Sequence, residues 1–201
     1  MKKKQISVVA AIVMCLAILA SGTIAYFTAE DEVHNIITSG GVDIAIEEWQ
    51  EVDGELVPYP ETPQQTMPGN TVSKIVKVKN LDADCFIRAS IAVVVKDANG
   101  KVMELSPEQA KAIQVVVEEV AIGSEQVGWM KKEADDGWYY YSEIVAENTA
   151  TEALISEVIF SGPNMGNEFQ NAQIEITIYA QAVQVANNGE SALEANGWPA
   201  V

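Results

Sequence analysis

The residues of this chain that could carry chemistry are few, and their spacing argues against catalysis. His34 is the only histidine, so a zinc site of the His-x-x-x-His kind is impossible within one chain. A Ser-His-Asp or Cys-His arrangement would need the same histidine, which lies in an acidic segment near the N-terminus. We therefore predict no catalytic residue and no metal site, and we interpret His34 as a polar surface residue.

The cysteines offer little more. Cys15 lies inside an apolar run near the N-terminus, and Cys85 opens an apolar stretch further on. If the first run is a removed leader, Cys85 is left alone and no internal disulfide can form. We interpret Cys85 as a small buried residue, with an intermolecular disulfide as the alternative.

Carboxylates are plentiful, but their spacing is not that of a metal site. The chain has 29 Asp+Glu against 12 Lys+Arg, a formal net charge of −17. In so acidic a chain, pairs such as Asp82 with Asp84 and Asp135 with Asp136 arise by chance and usually mark solvated turns. No Asp-x-Asp-x-Asp-Gly loop is present, so we predict no cofactor and keep calcium at these turns as a minor alternative. The charge argues against nucleic acid or anionic lipid as a partner.

The aromatic run from Trp138 to Tyr141 could bind sugars or peptides if it were exposed. In a strand, alternation would send Trp138 and Tyr140 to one face and Tyr139 and Tyr141 to the other. Core packing and cross-strand pairing explain such a run better than a binding role does. We therefore predict that these rings are structural.

The N-terminus has the pattern of an export signal. Lysines at positions 2–4 precede an uncharged apolar run at 6–20, which small residues and an acidic stretch follow. The run is shorter than the roughly 20 apolar residues of a membrane span. We predict a signal peptide over residues 1–25 and a secreted protein.

Small residues before the scissile bond give two cleavage sites. Thr23 and Ala25 favour a cut before Tyr26, and Ala20 and Gly22 offer the alternative cut before Thr23. Cleavage before Tyr26 leaves nine basic and 29 acidic residues, a net charge of −20. We expect no membrane attachment after cleavage.

Period-2 alternation dominates the remaining sequence. It predicts about eight or nine strands, the clearest of which are residues 71–80, 86–95, 138–145, 153–160 and 172–184. Asp53-Gly54, Pro68-Gly69 and the turn at 97–100 separate some of them. Residues 106–113 are expected to form one short helix, because Ser106 and Gln109 are suitably spaced for a capping box. A weak terminal helix is expected over 190–195.

This pattern predicts an all-β fold with one short helix, an antiparallel β-sandwich or jelly roll without a βαβ rhythm. The predicted organisation is a signal peptide (1–25), an N-terminal segment (26–40) and one β-sandwich domain (41–201).

Several pieces of the chain, taken in order, resemble the TasA/camelysin family of exported bacterial proteins, which are often matured by an endoplasmic-reticulum-like signal peptidase. The pieces are Gly-Thr-Ile-Ala-Tyr-Phe-Thr (22–28), Ile-Thr-Ser-Gly-Gly-Val-Asp-Ile (37–44), Pro-Gly-Asn-Thr-Val-Ser-Lys (68–74), Val-Lys-Asn (78–80), Phe-Ile-Arg (86–88), the strand 174–184 and Gly197-Trp198.

The resemblance implies a jelly-roll subunit of extracellular fibres in a biofilm matrix or on the cell surface. Subunits of this kind polymerise by donating the freed N-terminal segment as a strand to a neighbour. Here the donor would be residues 26–37, and its apolar contacts would be Phe27, Val33, Ile36 and Ile37. Glu30, Asp31 and Glu32 interrupt them. Self-assembly into filaments is the implied partnership, and other matrix proteins and a dedicated signal peptidase are further candidate partners.

Two other functions remain as alternatives. A monomeric cell-surface binding module or adhesin would use the aromatic hairpin or a long loop as its contact surface. A camelysin-type metallopeptidase would need zinc ligands, and the chain has no His-Glu-x-x-His motif and a single histidine. We therefore expect a structural protein and no enzyme.

Overall fold

The computed structural model describes residues 33–35 and 42–199. Over these ranges the chain forms ten strands and three short 3-10 turns. The strands are β1 (Val33–Asn35), β2 (Ile44–Val52), β3 (Glu55–Pro58), β4 (Thr71–Asn80), β5 (Cys85–Lys96), β6 (Ile113–Val117), β7 (Trp129–Lys131), β8 (Tyr139–Tyr141), β9 (Ile155–Phe160) and β10 (Gln173–Gln184). The 3-10 turns are Gln109–Ala112, Gly162–Asn164 and Asn167–Phe169.

The strands make two five-stranded sheets. One has the order β1-β10-β5-β8-β7, and the other has the order β3-β2-β4-β9-β6. The strand pairs are antiparallel except that of β1 with β10, which is parallel. The predicted all-β sandwich is confirmed.

The core lies between the two sheets, and the alternation of β10 shows how the sequence builds it. Ile174, Ile176 and Ile178 are buried in the main apolar cluster, whereas Gln173 and Glu175, on either side of Ile174, are half-buried. Val76 and Val78 of β4 belong to the same cluster from the other sheet. Burial of one face of each sheet is the main stabilising contribution of such a fold.

The connections have the turn chemistry that the sequence indicates. Asp53 and Gly54 join β2 to β3 with positive φ angles of 53° and 84°, as a two-residue hairpin turn requires. Gly69 has φ of 91°, and the amide of Asn70 donates to the carbonyl of Met67 at 3.1 Å. That is the type II geometry predicted for Pro68-Gly69.

The two predicted helices are not formed, and each is replaced by a single turn. The first is the 3-10 turn Gln109–Ala112, because strand β6 begins at Ile113 and its β-branched residues prefer extended backbone. The capping pair itself is present: the Ser106 amide donates to Gln109 Oε1 at 3.0 Å, and the Gln109 amide donates to Ser106 Oγ at 3.3 Å.

The expected terminal helix at 190–195 is a single turn. The amides of Glu194 and Ala195 both donate to the Ser191 carbonyl. A segment this short cannot recover the cost of helix nucleation.

Candidate assembly surface

The side of β10 that faces away from β5 is where the N-terminal region adds a strand, β1, to the described structure. On one side β10 pairs with β5 along its whole length, from Gln173 opposite Lys96 to Gln184 opposite Cys85. On the other side, the described partner is the three-residue β1, which reaches only Ile178 to Ala180. The amide and carbonyl groups of a sheet edge can accept a further strand.

The predicted donor residues can be located only in part. Val33 lies opposite Ile178 in parallel register, so three residues of the predicted donor segment add to their own β10. His34 occupies the next position, opposite Tyr179. The other predicted donor residues and the predicted cleavage residues lie outside the described part of the chain: Phe27, Ile36, Ile37, Thr23, Ala25 and Tyr26.

A cavity opens between the sheets beside this edge. It lies beneath the loop that joins β3 to β4 and has about 20 Å³ of free volume, roughly the space that one water molecule needs. Its walls come from both sheets and from that loop: Tyr59, Gln64, Thr66, Val72, Lys74, Val158, Phe160, Ile174 and Ile176. Ile174 and Ile176 belong to β10, so this strand contributes both to the cavity wall and to the pairing with β1.

Lys74 is the charged residue in the cavity wall, and it is 1% exposed. It occupies an inward position of β4, where the alternation would otherwise place an apolar side chain. Its Nζ lies 3.1 Å from Glu48 Oε1 and 4.1 Å from the centre of the Tyr59 ring. Burying an ammonium group is costly unless it is paired, so these contacts offset its desolvation.

Thr66 supplies a second polar group to the cavity. The residue is 8% exposed, and its Oγ1 has no hydrogen-bond partner among the described residues. A buried hydroxyl without a partner costs about 1–3 kcal/mol. The cavity therefore offers a hydroxyl donor and an ammonium group within apolar walls.

Arg88 is the only arginine in the chain. It forms a second buried cationic site, on the outer face of the sheet that contains β5 and β10. It is 9% exposed, and its guanidinium lies between two indole rings, 4.2 Å from the centre of Trp138 and 4.7 Å from that of Trp198. Planar stacking of this kind is a property of arginine that lysine does not share. The C-terminal segment, which includes Trp198, thus covers this face.

The hydrogen bonds of Arg88 go to neutral acceptors. Nε and Nη2 donate to Gln181 Oε1 at 2.9 and 2.7 Å, Nη1 to the Tyr140 hydroxyl at 3.4 Å, and Nη2 to the Pro199 carbonyl at 3.4 Å. The Tyr140 hydroxyl in turn donates to Asp136 Oδ2 at 2.7 Å. The Asp136 carboxylate is therefore linked to the guanidinium indirectly, through the Tyr140 hydroxyl.

The aromatic run alternates as predicted. Trp138 and Tyr140 belong to the cluster around Arg88, whereas Tyr141 and Tyr139 pack on the core between the sheets. Trp138 is 9% and Tyr140 0% exposed. The structural interpretation of these rings is confirmed.

The carboxylates of the acidic turns accept hydrogen bonds from nearby backbone amides. Asp135 accepts from the Gly137 amide at 2.9 Å and pairs with Lys131 at 3.0 Å, and these bonds lower the pKa of its carboxyl group. Backbone amides of Lys101 and Asn99 likewise lower the pKa of Asp97. Asp84 accepts from the Glu147 amide at 3.3 Å. These carboxylates stabilise turns.

Cys85 is buried in the core and makes no disulfide. Burial, with Asp84 nearby, raises the pKa of its thiol to about 12. The thiol is therefore protonated and unreactive at neutral pH, since the thiolate is the nucleophile. The prediction of a small buried residue is confirmed.

Neither a metal centre nor a membrane helix is found in the region that the structure covers. Among residues 33–35 and 42–199, His, Cys, Asp and Glu do not come together in groups of three or more that could hold a metal ion. No helix in the same ranges is long and apolar enough to cross a membrane.

The chain was compared with protein-family models, curated proteins and solved structures, and nothing matched in any of the three comparisons.

The sequence analysis missed both buried cations. Arg88 and Lys74 each occupy a position in an apolar or alternating strand where a charge must be compensated. Such a position is itself a signal, because charged residues are almost never fully buried unless they are paired. The compensating groups, however, are distant in sequence.

Proposed function

We propose that the protein is a secreted structural subunit of extracellular fibres, which assembles by adding its N-terminal segment to the β10 edge of a neighbour. The observation that carries the proposal is the parallel pairing of β1, a strand from the N-terminal region, with β10. Backbone pairing at an edge supplies affinity without a dedicated side-chain pocket.

The lengths of donor and acceptor are compatible. Strand β10 has 12 residues, and the proposed donor, residues 26–37, has the same number. Pairing over the whole donor in a neighbour would form a ladder of backbone hydrogen bonds, each worth about 0.5–1.5 kcal/mol net.

Donation from one subunit to the next gives an open assembly. The donor and the acceptor are different surfaces of the same chain, so the contact is head-to-tail and does not close on itself. Filaments are the expected product. At a net charge of −20 the subunits repel one another, so acidification or millimolar calcium should promote association.

The aromatic hairpin does not favour the adhesin alternative. Its largest ring, Trp138, is stacked on Arg88 and buried with Tyr140. A sugar or peptide would have to displace that packing before it reached either ring.

Electron microscopy and light scattering of the mature protein (26–201) test the proposal. We expect filaments from this protein and none from the Val33→Pro variant, because proline removes a ladder donor within the donor segment. Val33→Thr is the matched control, since threonine is β-branched and keeps the amide, and it should still polymerise. Monomers from the unsubstituted mature protein at every pH from 8 to 4 and with calcium would overturn the proposal.

A further inference from the structure

We propose that the cavity beneath the loop joining β3 to β4 binds a single water molecule, which hydrogen-bonds to Thr66 and Gln64. The water is part of the folded structure. Every contact that forms its site lies within one chain, so the site is independent of the proposed function.

The Thr66 hydroxyl is the group that requires a partner. Its residue is 8% exposed, and Oγ1 is buried with no hydrogen-bond partner among the described residues. Buried polar groups in folded proteins are nearly always hydrogen-bonded, either to protein or to ordered water. Because Thr66 lines the cavity, a water bound there can provide the missing hydrogen bond.

The size of the cavity selects water as the ligand. Its free volume is about 20 Å³, and a buried water needs at least roughly 10–15 Å³. A carboxylate or a sugar is larger than this space. Cavities of this size stay dry when their walls are wholly apolar, so the polar groups in the wall decide whether water binds.

Two polar side chains in the wall are sufficient to hold the water. The Thr66 hydroxyl can both donate and accept, and the Gln64 amide offers an oxygen acceptor and two N–H donors. A buried water makes about two to four hydrogen bonds, so these two partners meet its minimum. Neither bond draws on Lys74, whose ammonium group already contacts Glu48 and Tyr59.

The water also has a structural role in the loop. Residues 60–66 make no backbone hydrogen bond to other residues that the structure describes, and Pro60 and Pro63 have no amide hydrogen to donate. Strand pairing therefore does not hold this part of the chain. A water bound to Thr66 and Gln64 links two side chains of the segment on its buried side.

A high-resolution crystal structure of the purified protein tests the site directly. We expect one ordered water about 2.5–3.0 Å from Thr66 Oγ1 and within hydrogen-bond distance of the Gln64 amide. A Thr66 hydroxyl bonded to a protein group instead, or a cavity without ordered density, would overturn the proposal. Neither result depends on whether the protein forms filaments.

Substitution of Thr66 separates the hydroxyl from the space around it. Thr66→Val removes the hydroxyl and nearly keeps the shape, so we expect the crystallographic water to be lost. Nuclear Overhauser transfer from water to the Val158 and Ile176 methyl groups, which line the cavity, should fall to background. Thr66→Ser keeps the hydroxyl and is the matched control, which should retain both signals. Water retained in Thr66→Val, or lost in Thr66→Ser, would show that the hydroxyl does not hold it.

Discussion

Lys74 and Arg88 are both buried cations, one on each sheet, but their surroundings differ. Arg88 is stacked between two tryptophans and hydrogen-bonded to Gln181, Tyr140 and the backbone of Pro199. Lys74 pairs with Glu48 and Tyr59 and lines a small cavity of about 20 Å³. The arginine is held by rings and neutral acceptors, whereas the lysine is held by a carboxylate and a ring.

The difference separates a buried charge held by stacking and neutral hydrogen-bond acceptors from one held by an ion pair. The acceptors around a guanidinium that is enclosed on both faces are fixed by packing. Substitution of that arginine is therefore expected to lower the free energy of unfolding. Lys74 instead forms an ion pair with Glu48, so we expect a change there to act through the carboxylate that loses its partner. The two sites should therefore respond differently to substitution.

The largest effect is expected from Arg88→Ala. The change leaves Gln181 without its donor and opens a space between Trp138 and Trp198, so we expect a loss of about 3 kcal/mol in the free energy of unfolding. Urea denaturation followed by tryptophan fluorescence measures it. Arg88→Lys is the control: it keeps the charge but not the planar fork, and should recover no more than about half of the loss. A lysine variant as stable as the parent would show that only charge matters here.

A smaller loss, about 2 kcal/mol, is expected from Lys74→Met, because Glu48 loses its ammonium partner in a site that retains some contact with water. Methionine has a similar length and keeps the packing. Adding Glu48→Gln should restore most of the stability, since replacing both members of a buried pair is often nearly neutral. A double variant no more stable than Lys74→Met would contradict this account of the pair. The same urea titrations provide the measurement.

The smallest effect is expected at the exposed acidic turn. Asp135 has a lowered pKa because its carboxylate accepts from the Gly137 amide and pairs with Lys131. The resulting stabilisation is present above its ordinary pKa of 3.8 and is lost as the pH falls through the lowered value. The urea midpoint of Asp135→Asn should therefore lie slightly below that of the parent near pH 7, and the difference should vanish by about pH 2. A difference that grew in acid would have the wrong sign.

Local chemistry made much of this fold predictable. The bounds of β4 agree with the predicted strand at 71–80, and the turns at Asp53-Gly54 and Pro68-Gly69 have the expected geometry. Alternation also divided Trp138 and Tyr140 correctly from Tyr139 and Tyr141. Each of these features depends on neighbours within a few residues.

The features that could not be predicted from the sequence depend on contacts between residues that are distant along the chain. The sequence around Arg88 contains no sign of Gln181 or Trp198, which only the folded sheet and the C-terminal segment bring to it. Pairing of Val33 with Ile178 was likewise unpredictable, because period-2 alternation fixes faces but not strand neighbours.

The hydrogen bond from Arg88 to Pro199 spans 111 positions of sequence, and β10 is the strand that links β5 to β1. A chain emerging from the N-terminus would thus lack the strand that joins β1 to the rest of its sheet until nearly all of it had appeared. Long-range closure of this kind makes folding slow. Such a delay would keep the polypeptide unfolded until synthesis is almost finished, which is the state that export through a narrow pore requires if the protein is secreted as we propose.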